Sequence, residues 1–196
     1  AARIVVAEIA ETQRQVLQDR FAGDPVEVRA AVSDDPAILR EPCDVLVPNG
    51  LGGVLDDKTI PVLATRIVCG AANNPLVDER RHARALRARG IVYVPDYVAN
   101  RMGIVQCADE HAGSLPDDPA TLRHLGRDAA DSIYATTRRL LADAEAEDIT
   151  PLEAADRLAD VAVETLHPLH GDRAERIVRH LIEGAWARGA STNASP

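Results

Sequence analysis

Five short apolar segments alternate with segments of helical pattern in the first half of the chain, and this alternation constrains the fold more than any other feature. The apolar segments are residues 3–8, 26–32, 44–48, 66–70 and 91–98, and their nearly continuous apolar character is expected of strands covered on both faces. Residues 11–23, 34–41 and 77–90 between them are predicted to be helical. Regular alternation of strand and helix predicts an α/β fold with a parallel, doubly wound sheet.

The pattern changes after Gly103, where helical periodicity replaces the apolar strands. Residues 121–147, 151–166 and 172–188 are predicted to be helices that pack on the sheet. The second has a strong start signal, with Thr150 as N-cap, Pro151 at the first helical position and Glu153 three residues after the cap.

Composition and spacing exclude several classes of function. A net charge of −9 argues against nucleic acid as a partner, because phosphate binding needs a basic face. No segment is long and apolar enough to span a membrane and no signal peptide precedes the first strand, so a cytoplasmic protein without membrane contact is expected. Cys43, Cys69 and Cys107 are predicted to be reduced and buried. The pair His167 and His170 is interpreted as surface, so no metal is expected.

An acid, Glu8, ends the first predicted strand. Open parallel sheets bind ligands at the carboxyl ends of their strands, and in a dinucleotide-binding fold an acid there holds the adenosine ribose and repels a 2′-phosphate, which favours NAD over NADP. A helix cap or a surface position is the alternative for Glu8. The glycine-rich turn G-x-G-x-x-G that should precede this strand is absent, so the sheet is predicted to lack its first βα unit and to leave an open edge that recruits a partner.

Three later strands end in small or amide residues. The first is followed by NGLGG at residues 49–53, the second by GAANN at residues 70–74, and the third by a segment that closes on Asn100. Because parallel strands bring their ends to one edge, these residues predict a crevice for a flat, polar ligand. A plain glycine turn is the alternative for residues 49–53.

The motifs DVLVPNGLGGVLDDKTIP, IVCGAANNPL, RHARALRARGIVYVPDYVAN and ADE follow one another in residues 44–110. In this order they resemble the coenzyme domain of the Glu/Leu/Phe/Val dehydrogenase family, in particular its leucine, phenylalanine and valine dehydrogenase branch. The resemblance implies a Rossmann-like doubly wound parallel sheet that lacks its first βα unit and is followed by C-terminal helices. Its expected organisation is a partial dinucleotide-binding domain in residues 1–118, a helical segment in residues 119–188 and a flexible tail in residues 189–196.

The resemblance also implies an activity and a site. The family oxidatively deaminates an L-amino acid to its 2-oxo acid and passes the hydride to NAD. The matching cofactor positions are Glu8, Asn49, Gly50, Leu51, Ala71 and Asn73. Asn100 matches a residue near the substrate carboxylate, and Ala130 and Ile133 correspond to positions near the substrate side chain.

Two departures from the family pattern leave alternatives open. Where the family has N-A-G-G, this chain has Arg101 and Met102 after Asn100, and these side chains could narrow the pocket, bring a positive charge toward a carboxylate or point away. The family's catalytic groups are two lysines and an aspartate of an N-terminal substrate domain, whereas the single lysine here, Lys58, matches a non-catalytic segment.

No catalytic residue is therefore predicted in this chain. The expected partners are a small amino acid or 2-oxo acid, a substrate domain on the same or another chain, and further copies in a homo-oligomer. The alternative hypothesis is a non-catalytic binding or interaction module that has kept the fold of the family but not its reaction.

Overall fold

The computed structural model describes residues 2–32, 35–112, 117–164 and 173–183, in which alternating strands and helices precede a run of helices. The strands are β1 (Ile4–Glu8), β2 (Val26–Ala30), β3 (Cys43–Leu46), β4 (Thr65–Val68) and β5 (Val92–Tyr93). The helices are α1 (Glu11–Arg20), α2 (Glu79–Ala88), α3 (Asp96–Ala99), α4 (Met102–Ala112), α5 (Pro119–Leu122), α6 (Ile133–Ala146), α7 (Pro151–Glu164) and α8 (Arg173–Glu183). Short 3₁₀ helices cover Pro36–Arg40 and Ile60–Val62. The predicted α/β class is confirmed, and the predicted tail lies outside the described residues.

All strand pairs are parallel, but the strands form two sheets rather than one. One sheet pairs β1 with β2, with Ile4 opposite Val26, and the other has the order β3-β4-β5. The orders β2-β1 and β3-β4-β5 reproduce the halves 3-2 and 4-5-6 of the usual dinucleotide-binding order 3-2-1-4-5-6. The strand that joins the halves in that order is the first one, which belongs to the βα unit that these residues lack.

Coverage of the strands is uneven. β4 and β5 bury Val68 and Tyr93, whereas no residue of β1, β2 or β3 is buried. Helix α1 packs on β1 and β2, but none of its residues is buried. The prediction that every strand is covered on both faces is therefore wrong for the first three strands.

Two predicted elements differ from the sequence pattern, since one helix is interrupted and one strand is shorter than predicted. The helix predicted over residues 121–147 is interrupted, because α5 ends at Leu122 and α6 starts only after Ser132, whose hydroxyl accepts a hydrogen bond from Ala135 N at 3.1 Å. The strand predicted over residues 91–98 ends at Tyr93, because Pro95 lacks a backbone donor and α3 follows it.

Two apolar clusters form the packed core of the unit Ala1–Ala155, and the second compact unit is Asp156–Pro196. The larger cluster joins β4, β5 and α2 through Val68, Tyr93 and Leu86, and the smaller joins α3, α6 and α7. The larger cluster therefore packs β4 and β5 against α2, and the smaller packs α3 against α6. None of the helices in the described ranges combines the length and the apolar character that a bilayer-spanning segment needs.

The predicted start of α7 is confirmed by a reciprocal capping box. Glu153 N donates to Thr150 Oγ1 at 3.1 Å, and Thr150 N donates to Glu153 Oε2 at 2.9 Å. The bond from the Thr150 backbone, followed by one from Arg84, lowers the pKa of Glu153 to about 2. Because this pKa is lowered, the stabilisation is present above the ordinary carboxyl pKa of 4.5 and is lost as the pH falls toward 2.

Thr150→Ala should therefore lower the free energy of unfolding by about 1 kcal/mol, the usual effect of losing an N-cap. Thr137→Ala inside α6 is the matched control, and it should be neutral or slightly stabilising because alanine is the better helix former. Urea denaturation of the two variants measures the difference. Equal stability of both would contradict the role of Thr150.

Candidate functional site

The loops that follow β3 and β4 are tied together at the carboxyl edge of the three-stranded sheet. Ala71 N donates to Asn49 Oδ1 at 2.9 Å, and Ala72 N donates to Pro48 O at 2.9 Å. Two of the predicted cofactor residues, Asn49 and Ala71, are thus in direct contact. They lie at the edge where parallel α/β sheets bind their ligands.

Glycine is required where these two loops meet. A Cβ on Gly70 would lie 2.2 Å from Pro48 O, and a Cβ on Gly52 would lie 2.5 Å from Asn73 O. Both distances are far inside van der Waals contact, so no side chain fits at either position. These two glycines therefore allow the loops to approach each other, which is a structural role.

The tip of the loop after β3 is open. A Cβ on Gly50 would meet no atom within 4 Å, and the neighbouring Leu51 is 83% exposed. Both are predicted cofactor residues, and both present free surface beside Asn49.

Asn100 joins the predicted cofactor residues to the predicted substrate residues. Its Nδ2 donates to Asn73 Oδ1 at 2.6 Å and to Ala71 O at 3.3 Å. Asn100 is the residue at which α3 ends, so its amide spans from that helix to the loop after β4. The structure thereby brings Asn49, Ala71, Asn73 and Asn100 into one continuous set of contacts, as the sharing of one sheet edge predicts.

A buried carboxylate that the sequence analysis missed holds this loop in place. Asp96, which is 7% exposed, accepts hydrogen bonds from Asn74 N at 2.9 Å and from the Tyr93 hydroxyl at 3.2 Å. Asn74 has a φ of +49°, so its backbone needs such support. Burial, and then the charge on Asp96, raise the pKa of the Tyr93 hydroxyl, which therefore remains a donor. The available signal was an acid directly after Pro95, where a strand turns into a helix.

Glu8 lies at the end of β1 in the two-stranded sheet. Its Oε1 accepts a hydrogen bond from Ala10 N at 2.8 Å, next to the first turn of α1. One carboxylate oxygen therefore supports a helix start, which was the alternative interpretation of this residue. The ribose-binding role stays a prediction, for which the second oxygen is the relevant atom.

The predicted substrate residues Ala130 and Ile133 lie at the start of α6. Ala130 is on the exposed turn before the helix rather than on the helix itself, whereas Ile133 is the first helical residue and is half-buried. Ile133 N donates to His124 O at 3.0 Å, which closes the segment between α5 and α6 into a compact turn.

Arg101 connects this turn to Asn100. Its guanidinium donates to Asp131 O and to Thr136 Oγ1, the latter at 3.5 Å. The side chain thus extends toward the segment before α6 and not toward the loop after β4. Met102 is the first residue of α4 and is half-buried.

The cysteines make none of the contacts described for this site. Cys43 and Cys69 are half-buried and Cys107 is exposed, so the prediction of buried cysteines is wrong for Cys107. Burial raises the pKa of the Cys69 thiol. Among the residues with described positions, no cluster of three or more potential metal ligands is present, and His167 and His170 lie outside them.

Parallel strands connected by helices, with amide side chains gathered at the strand ends, define a Rossmann-like α/β domain. The model of the Glutamate/Leucine/Phenylalanine/Valine dehydrogenase family matches residues 4–171. The chain belongs to this family.

Curated relatives agree with this assignment. Valine dehydrogenase of Streptomyces albus is 39% identical over 160 residues, which are 81% of this chain and 40% of that protein. Leucine dehydrogenase of Geobacillus stearothermophilus is 35% identical over 140 residues, which are 71% of this chain and 36% of that protein. Both are named as amino-acid dehydrogenases, and the chain spans about two-fifths or less of their length.

Solved structures show the same fold. L-tryptophan dehydrogenase from Nostoc punctiforme is similar with a TM-score of 0.68 and 30% identity, over 81% of this chain and 43% of that one. The hetero-hexameric glutamate dehydrogenase from Thermus thermophilus is similar with a TM-score of 0.53 over 85% of this chain and 48% of that one, and at 17% identity it supports the fold alone.

Proposed function

We propose that this chain is the NAD-binding part of an enzyme that reversibly deaminates an L-amino acid to its 2-oxo acid. The observation that carries the proposal is the contact set at the strand ends, in which Asn100 reaches both Asn73 and Ala71. Four of the residues assigned to cofactor or substrate by resemblance are in contact there, at the edge that such sheets use for ligands.

The residues at this edge fit the two ends of a dinucleotide. Glu8 would accept hydrogen bonds from the adenosine ribose, and the open surface of Gly50 and Leu51 suits the adenosine. Ala71 and Asn73 would lie beside the nicotinamide ribose and its carboxamide. No glycine-rich phosphate turn occurs in residues 1–196, so the pyrophosphate would be held by a segment outside them.

The chemistry of the bound dinucleotide is to accept a hydride from the amino acid. The chain's own residues bind and orient: one N–H of Asn100 Nδ2 would donate to the substrate carboxylate in place of the 3.3 Å contact with Ala71 O, while the other would keep its bond to Asn73 beside the nicotinamide. The proton transfers would fall to lysines of a substrate domain, because Lys58 is the single lysine here. The chain matches about two-fifths or less of the length of these relatives, which supports a substrate domain outside residues 1–196.

The proposed setting follows from the same reasoning. The enzyme would act on small amino acids and 2-oxo acids in the cytoplasm. A substrate domain on the same or another chain would complete it, within a homo-oligomer. An unpaired strand edge exposes backbone N–H and C=O groups that can pair with another chain, so it is a candidate site for this association.

Calorimetric titration of the chain with NAD and NADP tests the proposal. NAD should bind more tightly than NADP, and Glu8→Ala should weaken NAD binding and reduce the preference, because it removes a ribose acceptor and a charge that repels the 2′-phosphate. Asn73→Ala should weaken the binding of both. Each loss should be about 1–3 kcal/mol, the range for lost polar contacts.

Two matched variants serve as controls. Glu11→Ala changes an exposed acid on α1, and Gln106→Ala changes an exposed amide on α4, so neither should alter the affinity for NAD. Absence of NAD binding, or equal losses in the control variants, would contradict the proposal and favour the non-catalytic interaction module.

A further inference from the structure

Asn49 and Gly50 form an exposed Asn-Gly pair at the tip of the loop after β3, and this pair occurs once in the sequence. An asparagine before glycine loses its side-chain amide most readily, because no Cβ hinders the attack of the next backbone nitrogen on the side-chain carbonyl carbon. The surroundings leave that attack open, since a Cβ on Gly50 would meet no atom within 4 Å. Gly50 N makes no hydrogen bond to the described residues, so it is available as the attacking atom.

The side chain of Asn49 is held by its oxygen and not by its amide nitrogen. Asn49 Oδ1 accepts a hydrogen bond from Ala71 N at 2.9 Å, whereas Nδ2 bonds to none of the groups in the described ranges. Negative charge develops on Oδ1 when a nucleophile adds to the carbonyl carbon, and a backbone N–H already directed at that oxygen stabilises the charge. The fold therefore supports the oxygen and leaves the nitrogen able to depart.

The other asparagines with described positions lack this combination. Asn74 precedes Pro75, which has no backbone N–H to attack with. Asn73 precedes Asn74, whose N already donates to Asp96 Oδ2 at 2.9 Å. The Nδ2 of Asn100 donates to Asn73 Oδ1 at 2.6 Å, so its amide nitrogen is held in place. Asn49 is thus singled out by its contacts as well as by its neighbour in sequence.

We propose that Asn49 is a self-modification site, at which the chain converts its own amide into a carboxylate. Gly50 N forms a bond to Asn49 Cγ, the bond from Cγ to Nδ2 breaks, and the proton of Gly50 N passes through water to the departing nitrogen, which leaves as ammonia. Water then opens the cyclic imide at either of its carbonyl groups. The product is aspartate or isoaspartate at position 49, and water is the one co-reactant.

The change falls on a predicted cofactor position, so its effect on NAD binding rests on the proposed function. Both products carry a negative charge where Asn49 is neutral, beside the open surface of Gly50 and Leu51. The pyrophosphate of NAD is also negative, so the new charge opposes binding. In isoaspartate the main chain runs through the former side chain, which removes the bond from Ala71 N to Asn49 Oδ1. The modified chain therefore binds NAD more weakly than the unmodified one.

Ageing of the full chain in mildly alkaline buffer, followed by peptide mapping with mass spectrometry, tests the chemical step. We expect the peptide that contains Asn49 to gain the mass difference between an acid and an amide, while those with Asn73 and Asn100 stay intact. Gly50→Ala should slow the reaction about tenfold, because its Cβ hinders the attacking nitrogen, and the open space there should let it fold normally. Gly103→Ala is the matched control, since a Cβ there also meets no atom within 4 Å, and it should react at the parent rate.

A synthetic peptide of residues 44–55 gives the rate without the fold. Because the fold leaves Gly50 N available and supports Asn49 Oδ1, the chain should react at least as fast as the peptide. An intact Asn49 in the chain after the peptide has reacted would overturn the inference, as would equal rates in the parent chain and Gly50→Ala. Circular dichroism shows whether Gly50→Ala is folded, and the comparison of chain with peptide carries the test if it is not.

Calorimetric titration with NAD separates the modification from its effect. Asn49→Asp, which carries the charge of the product, should bind NAD about tenfold more weakly than the parent chain. Gln106→Glu adds the same charge on an exposed side chain of α4 and should bind NAD as the parent does. Parent affinity in Asn49→Asp would overturn the effect on binding and leave the proposed function standing. Absence of NAD binding by the unmodified chain would sink the proposed function and leave the modification site standing.

Discussion

Gly70→Ala should destabilise the chain and disable the strand-end site. The added Cβ would lie 2.2 Å from Pro48 O and 2.6 Å from Pro48 N, and both are backbone atoms that cannot rotate away. The loop after β4 would have to move, which would break the bond from Ala72 N to Pro48 O and the bond from Ala71 N to Asn49 Oδ1. Overpacking usually costs about 1–3 kcal/mol, and a clash with backbone places this variant at the upper end.

Gly103→Ala is the matched control for this prediction. A Cβ on Gly103 has no atom within 4 Å, and the residue lies in α4. Since alanine is the better helix former, this variant should be neutral or up to about 1 kcal/mol more stable than the parent chain. Urea denaturation gives both values, and NAD titration should show a loss for Gly70→Ala alone. Equal behaviour of the two variants would show that the loops do not meet as described.

The grouping of residues at the strand-end site could be predicted from sequence because the carboxyl ends of parallel strands lie at one edge of a sheet. Each of Asn49, Asn73 and Asn100 follows an apolar strand or the short helix after one, and parallel strands place their ends at one edge. The capping box of α7 was predictable for a different reason, since Thr150 and Glu153 are three residues apart and need no distant partner. Asn49 and Ala71 are 22 residues apart, and the rule that parallel strands end at one edge is what predicted that they lie close together.

The roles of Gly70, Asp96 and Arg101 could not be predicted because they depend on particular contacts with distant residues, which the rule for strand ends does not specify. Asp96 bonds to Asn74, which is 22 residues earlier in the chain, and Arg101 reaches Asp131, which is 30 residues later. The interruption between α5 and α6 was missed because the helical periodicity continues through it. Likewise, an apolar run cannot indicate which strands pair, so the division into two sheets was visible only in the structure.

Asp96→Ala should have the second large effect, and it should act on stability and on the site together. The substitution leaves Asn74 N and the Tyr93 hydroxyl without their acceptor in a region where Tyr93 is buried. An unsatisfied buried donor costs about 1–3 kcal/mol. The turn at Asn74, whose φ is +49°, would lose its support, and Asn73 beside it would no longer be held for contact with Asn100.

Asp96→Asn separates the hydrogen bonds from the charge. The asparagine oxygen can still accept from Asn74 N, and its amide can donate to the Tyr93 oxygen, so most of the stability should return. Tyr93→Phe completes the comparison, because it removes only the weaker of the two bonds, the one at 3.2 Å. Thermal unfolding and NAD titration of the three variants should therefore rank Asp96→Ala as the most affected in both measurements. Normal NAD affinity in a folded Asp96→Ala chain would mean that the Asn74 turn keeps its shape without the carboxylate, and Asp96 would then contribute to the core but not to the site.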